Sequence, residues 1–94
     1  MQLHFSEKIK RKLADDHNVD TDEVFECFFN LAGKFLIDTR QGNKTDPPTK
    51  WFISETDKGK KLKVCFIPIG GELTVKTAYP PNENEIRIYN KFAK

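Results

Sequence analysis

Five side chains in this sequence could act together on a phosphate group: Arg40, Lys50, Lys63, Lys76 and Tyr79. Lysine and arginine offset the negative charge that develops on phosphoryl oxygens, and a phenol can orient the group or pass it a proton. The five form no contiguous motif, so any site they make depends on how strands are registered. Other reagents are sparse. Cys27 and Cys65 stand far apart, with no Cys-x-x-Cys and no nearby histidine, and read as buried reduced thiols. His4 and His17 lack ligand-spaced partners, so neither a metal nor another cofactor is expected. His17 falls in a connector and reads as a surface histidine, Glu55 and Asp57 as solvated residues at a strand end and a turn. Asp38 and Arg40 share a strand face as a surface pair of little stabilising weight.

The elements that must position these residues can be read from periodicity and caps. Ser6 precedes a stretch in which Ile9 and Leu13 fall one turn apart, which predicts a first helix over residues 7 to 16. Its basic cluster, Lys8, Lys10, Arg11 and Lys12, reads as a solvated face. Asp20 and Glu23 have capping-box spacing and open a second helix, whose wide apolar stripe of Val24, Cys27, Phe28 and Leu31 must lie flat on a core. Gly33 is a reasonable stop. Strand-like patterning follows from Lys34 to Arg40, then a polar loop from Gln41 to Thr49. Three further strands are expected at Lys50 to Thr56, Lys61 to Ile69 and Glu72 to Tyr79, joined by tight turns at Lys58-Gly59 and Gly70-Gly71. Pro80-Pro81 ends the last strand, and Asn82 with Glu85 repeats the capping-box spacing for a helix over 83 to 92.

Centring two-residue turns on those dipeptides gives a register. Phe66 then pairs with Val75 and Trp51, and Val64 with Thr77 and Ile53. One sheet face carries Trp51, Ile53, Leu62, Val64, Phe66, Leu73 and Val75 and takes the helices. The other carries Lys50, Phe52, Ser54, Lys63, Cys65, Ile67, Thr74, Lys76 and Ala78, an open surface with three lysines. The expectation is one α+β domain spanning residues 1–94. Two N-terminal helices pack on a four-stranded antiparallel sheet, followed by a C-terminal helix, with a short strand at Gln2 to Phe5 as an optional addition.

Ninety-four residues support one core, which excludes a multidomain enzyme. An aromatic share of 12% argues against a disordered, solvating chain. Sixteen Lys and Arg against fourteen Asp and Glu leave a net charge of +2, which neither demands nor excludes a nucleic-acid partner. No apolar run approaches the ~20 residues of a membrane span, and the first residues lack the apolar stretch of a signal peptide, so a cytoplasmic location without a membrane partner is expected.

The order of elements and several short motifs resemble the BrnT toxins, ribonucleases of type II toxin–antitoxin systems with a RelE-like fold. The parallel includes His17-Asn18-Val19, where that family tends to carry Lys-His-Gly-Val, and Asp38-Thr39-Arg40, where it carries an Asp-Pro-Arg type sequence. It continues through the basic residue before Trp51 and through Val75-Lys76-Thr77-Ala78-Tyr79, similar to Ile-Ile-Ser-Ala-Arg. It ends in a Glu-rich helix containing Tyr89. The chain departs from the pattern at Tyr79, in place of Arg, and at Lys44-Thr45-Asp46-Pro47-Pro48, in place of a His-containing stretch. The resemblance implies a metal-independent endoribonuclease or a degenerate relative, with RNA as substrate and an antitoxin protein as partner. RelE-like enzymes often use Lys, Arg and Tyr instead of a His pair. The implied catalytic set is thus Lys50, Lys63, Lys76, Tyr79 and Arg40, with Phe52, Lys63 and Lys76 binding nucleic acid and Phe52 stacking on a base. The alternative is a non-catalytic module whose lysine face and Pro-Pro loop bind a protein or nucleic acid. Residues 44–52 and 76–79 also resemble short bacterial proteins labelled ADP-ribosyl-(dinitrogen reductase) hydrolases. Enzymes with that activity are much longer and helical and use a magnesium cluster of aspartates, which this chain does not match.

Overall fold

The computed structural model describes residues 2–39 and 47–93. In chain order the elements are β1 (Leu3–His4), α1 (Glu7–His17), α2 (Thr21–Phe29), β2 (Leu36–Ile37), β3 (Lys50–Glu55), β4 (Lys61–Ile69), β5 (Glu72–Tyr79) and α3 (Glu83–Phe92). The three helices start where side chains satisfy their free backbone donors. Ser6 Oγ accepts from the Ile9 N–H, and Asp20 and Asn82 each form a complete capping box, with Glu23 and Glu85 respectively. Helix α1 ends at Asn18, whose left-handed conformation (φ 53°) lets the Val19 N–H reach the Leu13 carbonyl at 2.9 Å.

The sheet has five strands in the order β1-β5-β4-β3-β2, and it is mixed, because β1 runs parallel to β5. This corrects the expected four-stranded antiparallel sheet: the short strand near the N-terminus is a member, held by a 2.9 Å bond from the Leu73 N–H to the Gln2 carbonyl. β2 is reduced to two residues, because only Leu36 and Ile37 find partners on β3, at Trp51 and Lys50.

The register departs from two-residue turns at both hairpins. Between β3 and β4 the chain uses a three-residue loop, Asp57-Lys58-Gly59. Thr56 and Lys60 are bonded (2.9 Å) and Gly59 takes a positive φ of 83°. That slides β3 by one residue, so Trp51 pairs with Cys65, Phe52 with Val64 and Ile53 with Lys63. A one-residue slip inverts a strand. Phe52 therefore enters the core, and Trp51 and Ile53 turn to the opposite face, the reverse of the expected assignment. Agreement between two hairpins on paper could not detect this, because β3 slides freely without disturbing β5.

The Gly70-Gly71 turn is as expected, with both φ values positive, and Phe66 pairs with Val75. Beyond that pair the ladder breaks. Lys76 has no partner, Cys65 pairs with Thr77, Val64 with Ala78 and Lys63 with Tyr79. Lys76 is the extra residue of a β-bulge, and every residue after it changes face.

The sheet consequently has two covered faces. On one, Phe28 of α2 meets Phe52 and Phe66 edge-on at 4.7 and 5.4 Å, and Phe35 closes the cluster at 5.5 and 4.9 Å from the same two rings. Leu13 of α1 and Val24 and Cys27 of α2 belong to the same core. On the other, α3 packs Tyr89 against Trp51 at 5.7 Å. The Tyr89 hydroxyl donates to the Lys34 carbonyl at 2.8 Å, and Gly33 passes so close that a Cβ there would lie 2.6 Å from that hydroxyl. Both cysteines are buried, and burial pushes the Cys27 thiol up to about 12, so it is unreactive.

Candidate functional site

The bulge at Lys76 decides what stands next to Lys63. An unbroken ladder from the Gly70-Gly71 turn would pair Lys63 with Ala78; the extra residue brings Tyr79 there instead. Lys63 is only 4% exposed, beneath α3. Its ammonium donates to Glu85 Oε2 at 2.7 Å, and the Tyr79 hydroxyl donates to the same oxygen at 2.8 Å. The other oxygen of Glu85 accepts the Asn82 N–H at 3.0 Å, so one carboxylate both caps α3 and ties it to the sheet. The Lys63 nitrogen lies 4.5 Å from the centre of the Trp51 ring and 5.7 Å from that of Tyr79, within range of cation–π attraction. His17, the last residue of α1, sets its ring 5.6 Å from that of Tyr79.

Charge in this cluster is balanced. Burial alone would push the Lys63 ammonium down, but its hydrogen bond to Glu85, added to the smaller influences of Cys65 and Tyr79, more than offsets that and holds it above its ordinary value. Burial would likewise raise the Glu85 carboxyl, yet the bonds from Lys63, the Asn82 backbone and Tyr79 bring it below the usual range. Burial raises the Tyr79 phenol, and donation to Glu85 raises it further. Near neutral pH the cluster is thus one cation, one anion and one neutral phenol. A phenol that keeps its proton can give it up as an acid or hold an oxyanion by hydrogen bonding. Beside the cluster, a groove of about 480 Å³ runs between α3 and the chain after β2, with Trp51 and Lys63 among its lining.

Of the expected site residues, Lys63 and Tyr79 are brought together. Lys50 and Lys76 do not join them: strand alternation places Lys50 with Phe52, on the face opposite Lys63, and Lys76 is the exposed bulge residue. No open three-lysine face forms. Phe52 is 0% exposed, enclosed by Phe28, Phe35 and Phe66, and has no ring face to offer a base. Arg40 lies outside the described residues; its expected partner Asp38 is buried and not on the surface. Two members of the cluster were missed. Glu85 was legible only as a helix cap, although a capping glutamate six residues after a strand-end tyrosine is the available signal. His17 read as a surface residue, and is half-buried against Tyr79. Among the described residues, no group of three or more His, Cys, Asp or Glu could hold a metal ion, and no helix is long and apolar enough to cross a membrane.

Two helices on one face of a mixed sheet and a third on the other, anchored by a lysine–glutamate–tyrosine cluster, make an α+β fold. The chain matches the crystal structure of the Brucella abortus ribonuclease toxin BrnT with a TM-score of 0.65, over 88% of this chain and 99% of that one, at 21% identity. No protein-family model matches the chain, and no curated protein matches it. At that identity the likeness is one of fold, and the chemistry rests on the residues themselves.

Proposed function

We propose that this chain is a ribonuclease of the toxin type, cleaving RNA with its own side chains and held in check by an antitoxin protein. The observation that carries the reading is the bulge at Lys76, which sets Tyr79 beside Lys63 and against His17 at the junction of α1, β5 and α3. Bulges next to active sites commonly re-aim a side chain in this way. The fold shared with a ribonuclease toxin supports it.

The chemistry assigns a role to each residue. His17 takes the proton from a ribose 2′-hydroxyl, and that oxygen forms a bond to the adjacent phosphorus. The bond from phosphorus to the 5′-oxygen breaks, and the leaving oxygen takes the proton of the Tyr79 phenol. Products are a 2′,3′-cyclic phosphate and a free 5′-hydroxyl. Lys63 offsets the charge on the phosphorane and on the resulting phenolate, and the buried Trp51 ring beside it holds the ammonium in place.

A non-catalytic interaction module is the second reading. It is favoured by the burial of Lys63 and by three exposed apolar side chains around the groove, Ile37, Ile88 and Phe92, at 57, 38 and 63%. Induction in growing cells separates the two. The nuclease reading expects growth arrest, relieved by Tyr79→Phe and by co-expression of the antitoxin. Untouched growth, together with purified protein that neither binds nor cleaves RNA at low salt, leaves the module as the account.

A further inference from the structure

In this structure no phosphate can reach Lys63 as it stands. The side chain is covered by α3, and among the described residues the anion it touches is Glu85. Among the described residues, both donors that the proposed chemistry needs at the phosphate, the Lys63 ammonium and the Tyr79 hydroxyl, converge on a single atom, Glu85 Oε2, at 2.7 and 2.8 Å. Two donors at such distances around one oxygen are the arrangement that a non-bridging phosphate oxygen would adopt between the same groups.

The attachment of α3 is uneven. Its C-terminal half is pinned by the buried Tyr89, whose hydroxyl bonds Lys34, and by Ala93, whose carbonyl accepts the Lys34 N–H at 2.8 Å. Its first turn meets the sheet through Glu85 and through Ile86, which packs partly buried against the core, and Asn84 and Glu85 border the groove that leads to Lys63. The Glu85 side chain is 16% exposed, against 5% for Lys63, so it is the member of the pair with solvent to move into.

We infer that Glu85 is a built-in occupant of the phosphate site, a carboxylate that an RNA phosphate must displace from Lys63 and Tyr79 before cleavage. The inference rests on the nuclease reading and adds regulation to it: the resting protein is self-neutralised. A partner or substrate that draws the Glu85 side chain out towards the groove switches the site on. Once freed, Glu85 keeps its bond to the Asn82 N–H and remains the helix cap, so displacement of its other oxygen need not unwind α3.

The test uses a mixed-sequence 2′-O-methyl RNA oligomer, which binds but cannot be cleaved through the 2′-oxygen. Glu85→Gln keeps the side-chain shape and removes the charge. It should bind this RNA on the order of tenfold more tightly than the wild type, as expected on removing one like charge close to the phosphate. The salt dependence should steepen by about 0.7, the slope for one additional phosphate contact on a single strand. In the wild type, the Glu85 carboxyl, followed by NMR, should move from its lowered pKa back towards the ordinary carboxylate range when the RNA binds. A purely structural ion pair would not make that move. Should Glu85→Gln not fold, the wild-type titration decides alone. RNA binding that is no tighter in Glu85→Gln, with the wild-type titration unmoved, overturns the inference and leaves the nuclease reading standing. Absence of RNA binding by both proteins at low salt overturns both.

Discussion

Replacing Lys63 with methionine retains a long apolar stem beneath α3 but removes the ammonium from Glu85, Tyr79 and the face of Trp51. Breaking a buried ion pair by deleting one partner costs about 3–5 kcal/mol, because the remaining charge is left uncompensated. Here Glu85 keeps the bonds from the Asn82 N–H and the Tyr79 hydroxyl and is 16% exposed, so the lower end, about 3 kcal/mol, applies. In a domain of this size each kcal/mol moves Tm by ~4–8 °C, so Lys63→Met should lower it by roughly 12–24 °C. Adding Glu85→Gln removes the stranded charge, and the double variant should lose less than the sum of the two single changes by about 1–3 kcal/mol. The pair also shapes the pH profile. Glu85 is held below its unfolded value, so its stabilisation is present above the ordinary carboxylate range and disappears as pH falls through its own lower pKa. Lys63 is held above its unfolded value, so its stabilisation is complete below the ordinary lysine range and disappears as pH rises through its elevated pKa. Denaturation midpoints measured across pH should show both limbs in the wild type and flatter ones in Lys63→Met. A Tm within about 2 °C of wild type, on the scale of a few tenths of a kcal/mol, would mean that Lys63 is not buried under α3 against Glu85.

Gly33→Ala drives a methyl group to 2.6 Å from the Tyr89 hydroxyl and 2.9 Å from the Ala93 carbonyl. It should cost about 1–3 kcal/mol in urea denaturation, and less in a Tyr89→Phe background, where the hydroxyl is gone. Phe66→Ala opens the cluster of Phe28, Phe35, Phe52 and Phe66 and should cost about 3–5 kcal/mol; an unchanged denaturation midpoint would remove Phe66 from the core. Ser54 has a buried hydroxyl without a hydrogen-bond partner among the described residues, so Ser54→Ala should raise stability by about 1 kcal/mol, and a loss of that size in thermal melts would reveal a partner.

Elements announced by local chemistry were legible. The caps at Ser6, Asp20 and Asn82 and the glycines at 59, 70 and 71 placed the starts of all three helices and the bounds of three strands to within a residue or so, whereas α2 ends at Phe29, short of the expected stop at Gly33. What was not legible is long-range. Thr56 and Lys60 pair around three residues where a two-residue turn was equally consistent with Lys58-Gly59, and that single residue exchanged the surroundings of Trp51 and Phe52. The bulge at Lys76 carries no glycine or proline to mark it, yet it is what sets Tyr79 against Lys63. Composition could not separate a lysine solvating a sheet from one buried against a carboxylate either. Glu85, the residue that makes that burial tolerable, had its cap role written in the sequence and its pairing only in the fold.

The most direct test of the nuclease account is cleavage of single-stranded RNA by purified protein in the presence of a metal chelator, with the ends of the fragments identified. The account predicts 2′,3′-cyclic phosphate and 5′-hydroxyl ends, no cleavage where the ribose at the cut position lacks its 2′-hydroxyl, and a fall of about 100-fold or more in rate for Tyr79→Phe and for His17→Ala. Intact RNA after prolonged incubation, or cleavage that Tyr79→Phe leaves unchanged, would contradict it.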